Sequence, residues 1–84
     1  MLKYEKKIRE IIALNLKTTI NINNYNANSD LRNIGMDSIS FVSIVVSIEN
    51  EFGIEFPTDR LLIAEYRIIT LLSQTTENII LNVE

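Results

Sequence analysis

The chain has 84 residues, of which 46% are hydrophobic, and it carries a formal net charge of −3. This length predicts a single domain over residues 1–84, and the apolar content is sufficient for a core and opposes intrinsic disorder. The sequence contains neither cysteine nor histidine, which excludes disulfides, ordinary zinc sites and catalytic pairs of the Ser–His or Cys–His type. We therefore expect a protein that is not an enzyme and has no metal site.

The charge is divided unevenly along the chain. Residues 1–32 contain six Lys/Arg and three Asp/Glu, whereas residues 33–84 contain two and eight, giving +3 and −6. The acidic second segment disfavours nucleic acid and favours partners with a basic face. No apolar run reaches the roughly 18 residues of a membrane span, and the N-terminus lacks the apolar core of a signal peptide. We expect a cytoplasmic monomer that binds neither membranes nor nucleic acid.

The first half of the chain predicts two helices joined by a long loop. Apolar residues at spacings of three and four predict a helix over residues 3–16. Residues 18–37 are rich in Asn, Thr and Ser, which favour turns, and their few apolar side chains would anchor a loop to the core. A second helix is predicted from Ile39 to Phe52, with Asp37 or Ser38 as its cap and Gly53 as its stop.

The second half predicts two more helices. A short third helix is expected from Thr58 to about Tyr66, and a last helix from Thr70 or Ser73 to about Leu81. The predicted fold is therefore all-α, a bundle of three longer helices and one short third helix. Its core is expected to contain the following residues: Tyr4, Ile8, Ile12, Leu31, Phe41, Val45, Ile48, Phe52, Ile54, Leu72, Ile79 and Ile80.

The second helix has two apolar faces. At about 100° per residue, Phe41, Val45, Ile48 and Phe52 fall on one face, as expected for a helix that packs on a core. A separate face carries Ile39, Val42 and Val46. Either this helix is buried on two sides, or the second face is an exposed stripe that begins beside Ser38. Exposed apolar stripes at helical spacing usually mark contacts with partners.

The residues around Ser38 resemble those of acyl carrier proteins. The segment Gly35-Met36-Asp37-Ser38-Ile39 matches the family's Asp-Ser-Leu motif, with Ile in place of Leu, at the start of the second helix. The approach from Asp30 and the exit Glu49-Asn50-Glu51-Phe52-Gly53-Ile54-Glu55-Phe56-Pro57 also look like the family. The likeness spans nearly the whole chain and implies an acyl-carrier-like four-helix bundle with a long loop between its first two helices.

The resemblance implies a covalent cofactor. A phosphopantetheinyl transferase would join 4′-phosphopantetheine to Ser38 by a phosphodiester, and the arm's thiol would carry acyl groups as thioesters. Further implied partners are an acyl- or aminoacyl-loading ligase or transferase, and synthase or condensing enzymes. The residues implied in recognition by the transferase or by other partners are Asp37, Ile39, Val42, Val46 and Glu49. A serine at a helix N-terminus suits this role because the helix dipole favours an added phosphate.

Departures from the family pattern affect the choice of function. Ser40, Ser43 and Asn50 occupy places where acyl carriers commonly have acidic residues, so electrostatic steering towards basic partners should be weaker. This favours a stand-alone acyl carrier in a specialised pathway, polyketide or related, over housekeeping fatty-acid synthesis. One alternative is an aminoacyl, aryl or peptidyl carrier of a nonribosomal-peptide type. Another is a small helical adaptor in which Ser38 is an ordinary residue of the helix cap and is never modified.

Overall fold

The structure is a computed structural model that describes residues 3–57 and 63–83. Within these ranges the chain forms three α-helices, which we call α1 (Glu5–Asn15), α2 (Ser38–Phe52) and α3 (Ile69–Val83). Two short 3₁₀ helices, Ile22–Asn24 and Leu31–Ile34, interrupt the long segment between α1 and α2. Helix α1 contacts both α2 and α3. The all-α class is confirmed, since these ranges contain helices and turns but no strands.

The prediction of four helices is not confirmed. Most of the expected short third helix, residues 58–62, lies outside the described residues, and residues 63–65 form a turn. The last helix begins at Ile69 rather than at Thr70 or Ser73. Thr70 is the second residue of this helix, and its hydroxyl donates towards the Asn28 side-chain oxygen (2.8 Å) and the Ala27 carbonyl (3.2 Å). The Thr70 side chain thus ties α3 to the long loop.

The core lies between the three helices and agrees largely with the expected one. Eight of the twelve expected residues are buried, namely Ile8, Ile12, Leu31, Phe41, Val45, Ile48, Ile54 and Leu72. Phe52, Ile79 and Ile80 are half-buried against the same core, and the half-buried Tyr4 ring meets Phe52 edge-on at 5.2 Å. Further buried residues that the expected core omitted are Ile11, Leu16, Ile22, Met36, Ile44, Phe56 and Ile69.

The long loop is fastened to α1 by a buried arginine. The Arg9 guanidinium donates to the carbonyls of Ile22 (2.6 Å) and Tyr25 (2.8 Å) and to the Glu5 carboxylate (3.0 Å). Sequence periodicity placed Arg9 among the polar residues between the apolar positions, yet its side chain is buried. A buried charge is tolerated when it is paired and hydrogen-bonded. Arg9 therefore fixes the first part of the loop while satisfying two loop carbonyls.

The second part of the loop is fastened to the start of α3. The Leu31 amide donates to the Arg67 carbonyl (2.8 Å), and the Thr70 amide donates to the Ala27 carbonyl (3.0 Å). The Tyr25 hydroxyl donates to the Asp30 carbonyl (2.6 Å) and closes the loop on itself. The loop is thus held at several points along its length. The start of α2, which follows the loop, is therefore attached to a segment of fixed position.

Substituting the two phenylalanines of α2 tests this core. Phe41→Ala should lower the free energy of unfolding by about 3–5 kcal/mol, because removing a fully buried aromatic ring leaves a cavity; Phe41 is 2% exposed. The matched change Phe52→Ala should cost less, because Phe52 is only half-buried. Urea titrations followed by circular dichroism measure both values. An equal or larger loss for Phe52→Ala would contradict the described packing.

Candidate functional site

Two residues turn the chain from the loop into α2. The second 3₁₀ helix ends at Gly35, whose φ of +106° lies in the left-handed region that side chains other than glycine's rarely adopt. Met36 then buries its side chain, and its amide donates to the Leu31 carbonyl (3.2 Å). Because this turn is fixed on both sides, the next residues emerge at a defined place on the surface.

The start of α2 is fixed by reciprocal hydrogen bonds between Asp37 and Ser40. The Asp37 carboxylate accepts from the Ser40 amide (2.8 Å), and the Ser40 hydroxyl oxygen accepts from the Asp37 amide (2.9 Å). This is a capping box, which satisfies two backbone donors that a helix start otherwise leaves unpaired. The cap is therefore Asp37, the first of the two residues expected, and Ser38 is the first residue of the helix.

The same bonds further favour the ionised form of Asp37. Hydrogen bonds from the Ser40 amide and the Ser40 hydroxyl lower the pKa of Asp37 below its ordinary value of 3.8. The cause is that a carboxylate accepting hydrogen bonds is favoured over the protonated acid. Asp37 is consequently ionised at neutral pH, where its negative charge also suits the N-terminal end of the helix dipole.

Ser38 presents its hydroxyl to solvent. Its side chain is exposed, and the side-chain bonds at this end of α2 join Asp37 to Ser40. Among the residues that the structure describes, none forms a hydrogen bond with the Ser38 hydroxyl. The oxygen is therefore accessible to another protein, and the helix N-terminus favours a phosphate attached there. These features fit a phosphodiester at Ser38.

An exposed apolar surface begins next to this serine. We call Ile39, Val42 and Val46 the α2 stripe; they are 80%, 50% and 45% exposed. The opposite face of the helix buries Phe41, Val45 and other core residues. Of the two explanations for the doubly apolar helix, the structure supports the exposed stripe.

Glu49 has a structural contact. Its side chain is half-buried, and one carboxylate oxygen accepts a hydrogen bond from the Phe56 amide (2.8 Å). Gly53 ends α2 in the left-handed conformation with φ of +64°, and the buried Phe56 follows in the connector. Glu49 thus holds the connector against the helix, and its role in recognition by partners stays a prediction.

A groove beside Ser38 was missed by sequence reasoning. It has a volume of about 400 Å³ and lies between the end of α1 and the start of α2. Its lining residues are Asn15, Leu16, Lys17, Gly35, Asp37, Ile39, Ser40 and Ser43. No sequence signal pointed to Lys17 at this place, because the proximity of α1 to α2 depends on the whole fold. The Asp37–Ser40 spacing was a usable signal, since it follows the spacing of a capping box.

Two further searches concern metals and membranes. Over residues 3–57 and 63–83, no group of three or more His, Cys, Asp or Glu side chains is arranged to hold a metal ion. Within the same ranges, none of the helices has both the length and the apolar character needed to cross a membrane.

Comparison with known proteins identifies the family. A family model described as the phosphopantetheine attachment site matches residues 6–75, and the chain belongs to this family. It is 43% identical over 56 residues to an acyl carrier protein homolog of Mycoplasma genitalium, a match that covers 67% of this chain and 66% of the relative. It is 31% identical over 52 residues to an acyl carrier protein homolog of Ureaplasma parvum, covering 62% and 68%. No solved structure matches the chain with comparable significance.

The resemblance found around Ser38 is thereby confirmed at the level of the family. Membership identifies covalently attached 4′-phosphopantetheine as the cofactor. Proteins of this family are carriers that are generally non-catalytic, and they interact with phosphopantetheinyl transferases and synthase enzymes. The match spans about two thirds of the length of each of these two relatives.

Proposed function

We propose that this chain is an acyl carrier protein that holds acyl intermediates as thioesters on a 4′-phosphopantetheine arm attached to Ser38. The observation that carries the proposal is the position of Ser38. It is the exposed first residue of α2, directly after the capping Asp37, and it lies within the part of the chain that matches the attachment-site family. The names of the two relatives support acyl groups as the cargo.

In the attachment reaction, this chain supplies the attacking serine oxygen. The Ser38 oxygen attacks a phosphorus of coenzyme A, a new P–O bond forms, and the bond to the adenosine bisphosphate leaving group breaks. We expect the proton of the hydroxyl to pass to a base of the transferase, because the pKa of Asp37 is lowered and one of its carboxylate oxygens already accepts hydrogen bonds from Ser40. The thiol at the end of the arm would then take the acyl group from an activated acyl donor held by a loading enzyme: a C–S bond forms, the bond to the donor's leaving group breaks, and the thiol proton is lost.

The same features support a carrier that performs no catalysis itself. A serine nucleophile needs an adjacent base, and the chain has no histidine. Accessibility and a fixed helix start are sufficient for a modified serine. The buried core runs from Ile8 to Leu72, which supports one carrier domain over residues 1–84. Its monomeric state and its cytoplasmic location stay predictions from the sequence.

Recognition by partners is proposed to use Asp37, Glu49 and the α2 stripe. The acidic side chains of α2 contribute little to steering. One carboxylate oxygen of Glu49 is bonded to the connector, which leaves the other for a partner, and the Glu51 carboxylate lies 3.8 Å from the Lys7 ammonium. The exposed apolar area of the stripe is then the main contact that α2 offers. This supports partners that recognise an apolar surface, and with them a specialised pathway, polyketide or related.

Two other functions are compatible with the same residues. The sparse acidity of α2 also suits an aminoacyl, aryl or peptidyl carrier, whereas Asp37 before the serine favours the acyl type. A small helical adaptor would use the α2 stripe without any modification of Ser38. The adaptor is separated from both carriers by whether Ser38 accepts the arm, and the two carriers are separated by the acid that is loaded.

Mass spectrometry of the intact protein tests attachment. The chain is incubated with coenzyme A, magnesium and a phosphopantetheinyl transferase of broad specificity. The wild type should gain the mass of one phosphopantetheine, and Ser38→Ala should gain none, because the oxygen to which the arm is joined has been removed. Ser43→Ala is the matched control, since Ser43 is also an exposed serine of α2, and it should gain the same mass as the wild type. A folded wild type without added mass would favour the adaptor.

A substitution in the α2 stripe tests recognition. Val42→Asp should lower kcat/KM of the transferase by about tenfold, which corresponds to about 1.4 kcal/mol of lost contact and added desolvation. The control is Leu14→Asp on α1, which removes an exposed apolar residue away from the stripe. Initial rates of arm transfer measure the effect, and circular dichroism verifies the fold. Equal rates for the two variants would contradict a role for the stripe.

A further inference from the structure

The groove beside Ser38 has walls of mixed character. Leu16 is buried (4% exposed), whereas Ile39 is 80% exposed. Both residues line the groove together with polar residues. Asp37 and Ile39, the two chain neighbours of Ser38, both lie on it. Ser38 lies between these two lining residues, so a long flexible group attached to its oxygen starts close to the groove and can fold back towards it.

Among the described residues that line the groove, Lys17 is the one basic side chain. Lys17 is exposed, and across the described ranges its ammonium group takes part in no ion pair. The ion pairs of α1 use Lys7 and Arg9 instead. The groove's carboxylate, Asp37, is held by Ser40. An anion fixed at Ser38 would thus find the flexible Lys17 as the basic side chain of the groove.

The groove also has hydrogen-bonding capacity. The Asn15 side-chain amide nitrogen donates to the Ile11 carbonyl (2.8 Å) and approaches the Ser47 hydroxyl at 3.4 Å. Its side-chain oxygen has no hydrogen-bond partner in the part of the chain that the structure describes. The hydroxyl of Ser43 adds both a donor and an acceptor. Amide and hydroxyl groups of a ligand would therefore find partners along the groove.

We propose that the groove binds the pantetheine arm of the modified protein, with Lys17 paired to the phosphodiester and the arm's geminal methyl groups against Leu16 and Ile39. This inference rests on the proposed function. The arm combines one negative charge, an apolar branch, a hydroxyl and two amides, and the groove offers a counterpart to each.

The test is an isotope-filtered NOE measurement on the arm-bearing protein. The chain is labelled with ¹³C and ¹⁵N and then modified with unlabelled coenzyme A, and intact mass is measured first. The proposal predicts NOEs from the geminal methyl protons of the arm to the methyl groups of Leu16 and Ile39. In Lys17→Gln these NOEs should fall to less than half of the wild-type intensity. They should persist in Lys6→Gln, which removes the same charge from an exposed site of α1 outside the groove.

The outcomes separate this inference from the proposed function. A chain that gains no phosphopantetheine mass overturns the proposed function and the groove assignment with it. A chain that gains the mass but shows no NOEs to Leu16 and Ile39 overturns only the groove assignment. Equal NOE intensities in the Lys17 and Lys6 variants overturn the pairing of Lys17 with the phosphodiester.

Discussion

The reciprocal hydrogen bonds between Asp37 and Ser40 determine where α2 begins, and the site depends on that position. With the cap at Asp37, Ser38 becomes the first helical residue and presents its hydroxyl to solvent. The rotation of the helix is set by its buried face, where Phe41, Val45 and Ile48 pack into the core and leave the α2 stripe exposed. The cap and the core contacts of α2 therefore act together to place the attachment point beside the adjoining apolar surface.

The hydrogen bonds of the loop before α2 help to hold the capped start of this helix in place. Arg9 bonds the carbonyls of Ile22 and Tyr25, and Thr70 bonds Ala27, so the loop is fastened to both α1 and α3 before it reaches Gly35. A carrier must present one serine to its partner enzymes in the same geometry. A loop that is hydrogen-bonded to two helices keeps the serine in that geometry. The cost of burying the Arg9 charge is offset by its pairing with Glu5 and by the two carbonyls it satisfies.

Local sequence signals predicted α1, α2 and α3 and singled out Ser38, while the short third helix is not confirmed and contacts between distant segments could not be predicted. The helical spacing of apolar residues predicted α2 from Ile39 to Phe52, one residue shorter at its start than the observed helix. The Asp37-Ser38-Ile39 motif indicated the candidate site. Nothing near Arg9 in the sequence indicates that its side chain meets the carbonyls of Ile22 and Tyr25. The partner of Thr70, Ala27, lies 43 residues away. Lys17 could not be placed at the groove for the same reason, since the opposite wall is formed by residues 35–43.

The most direct test of the account is the chemical state of Ser38 in the chain purified from the cells that make it. Peptide mass spectrometry is performed before and after neutral hydroxylamine, which cleaves thioesters and leaves phosphodiesters intact. The account predicts a peptide whose Ser38 bears phosphopantetheine, with part of that population carrying an acyl group that hydroxylamine removes. A Ser38 peptide found only in unmodified form would contradict the central claim that this serine bears the carrier arm.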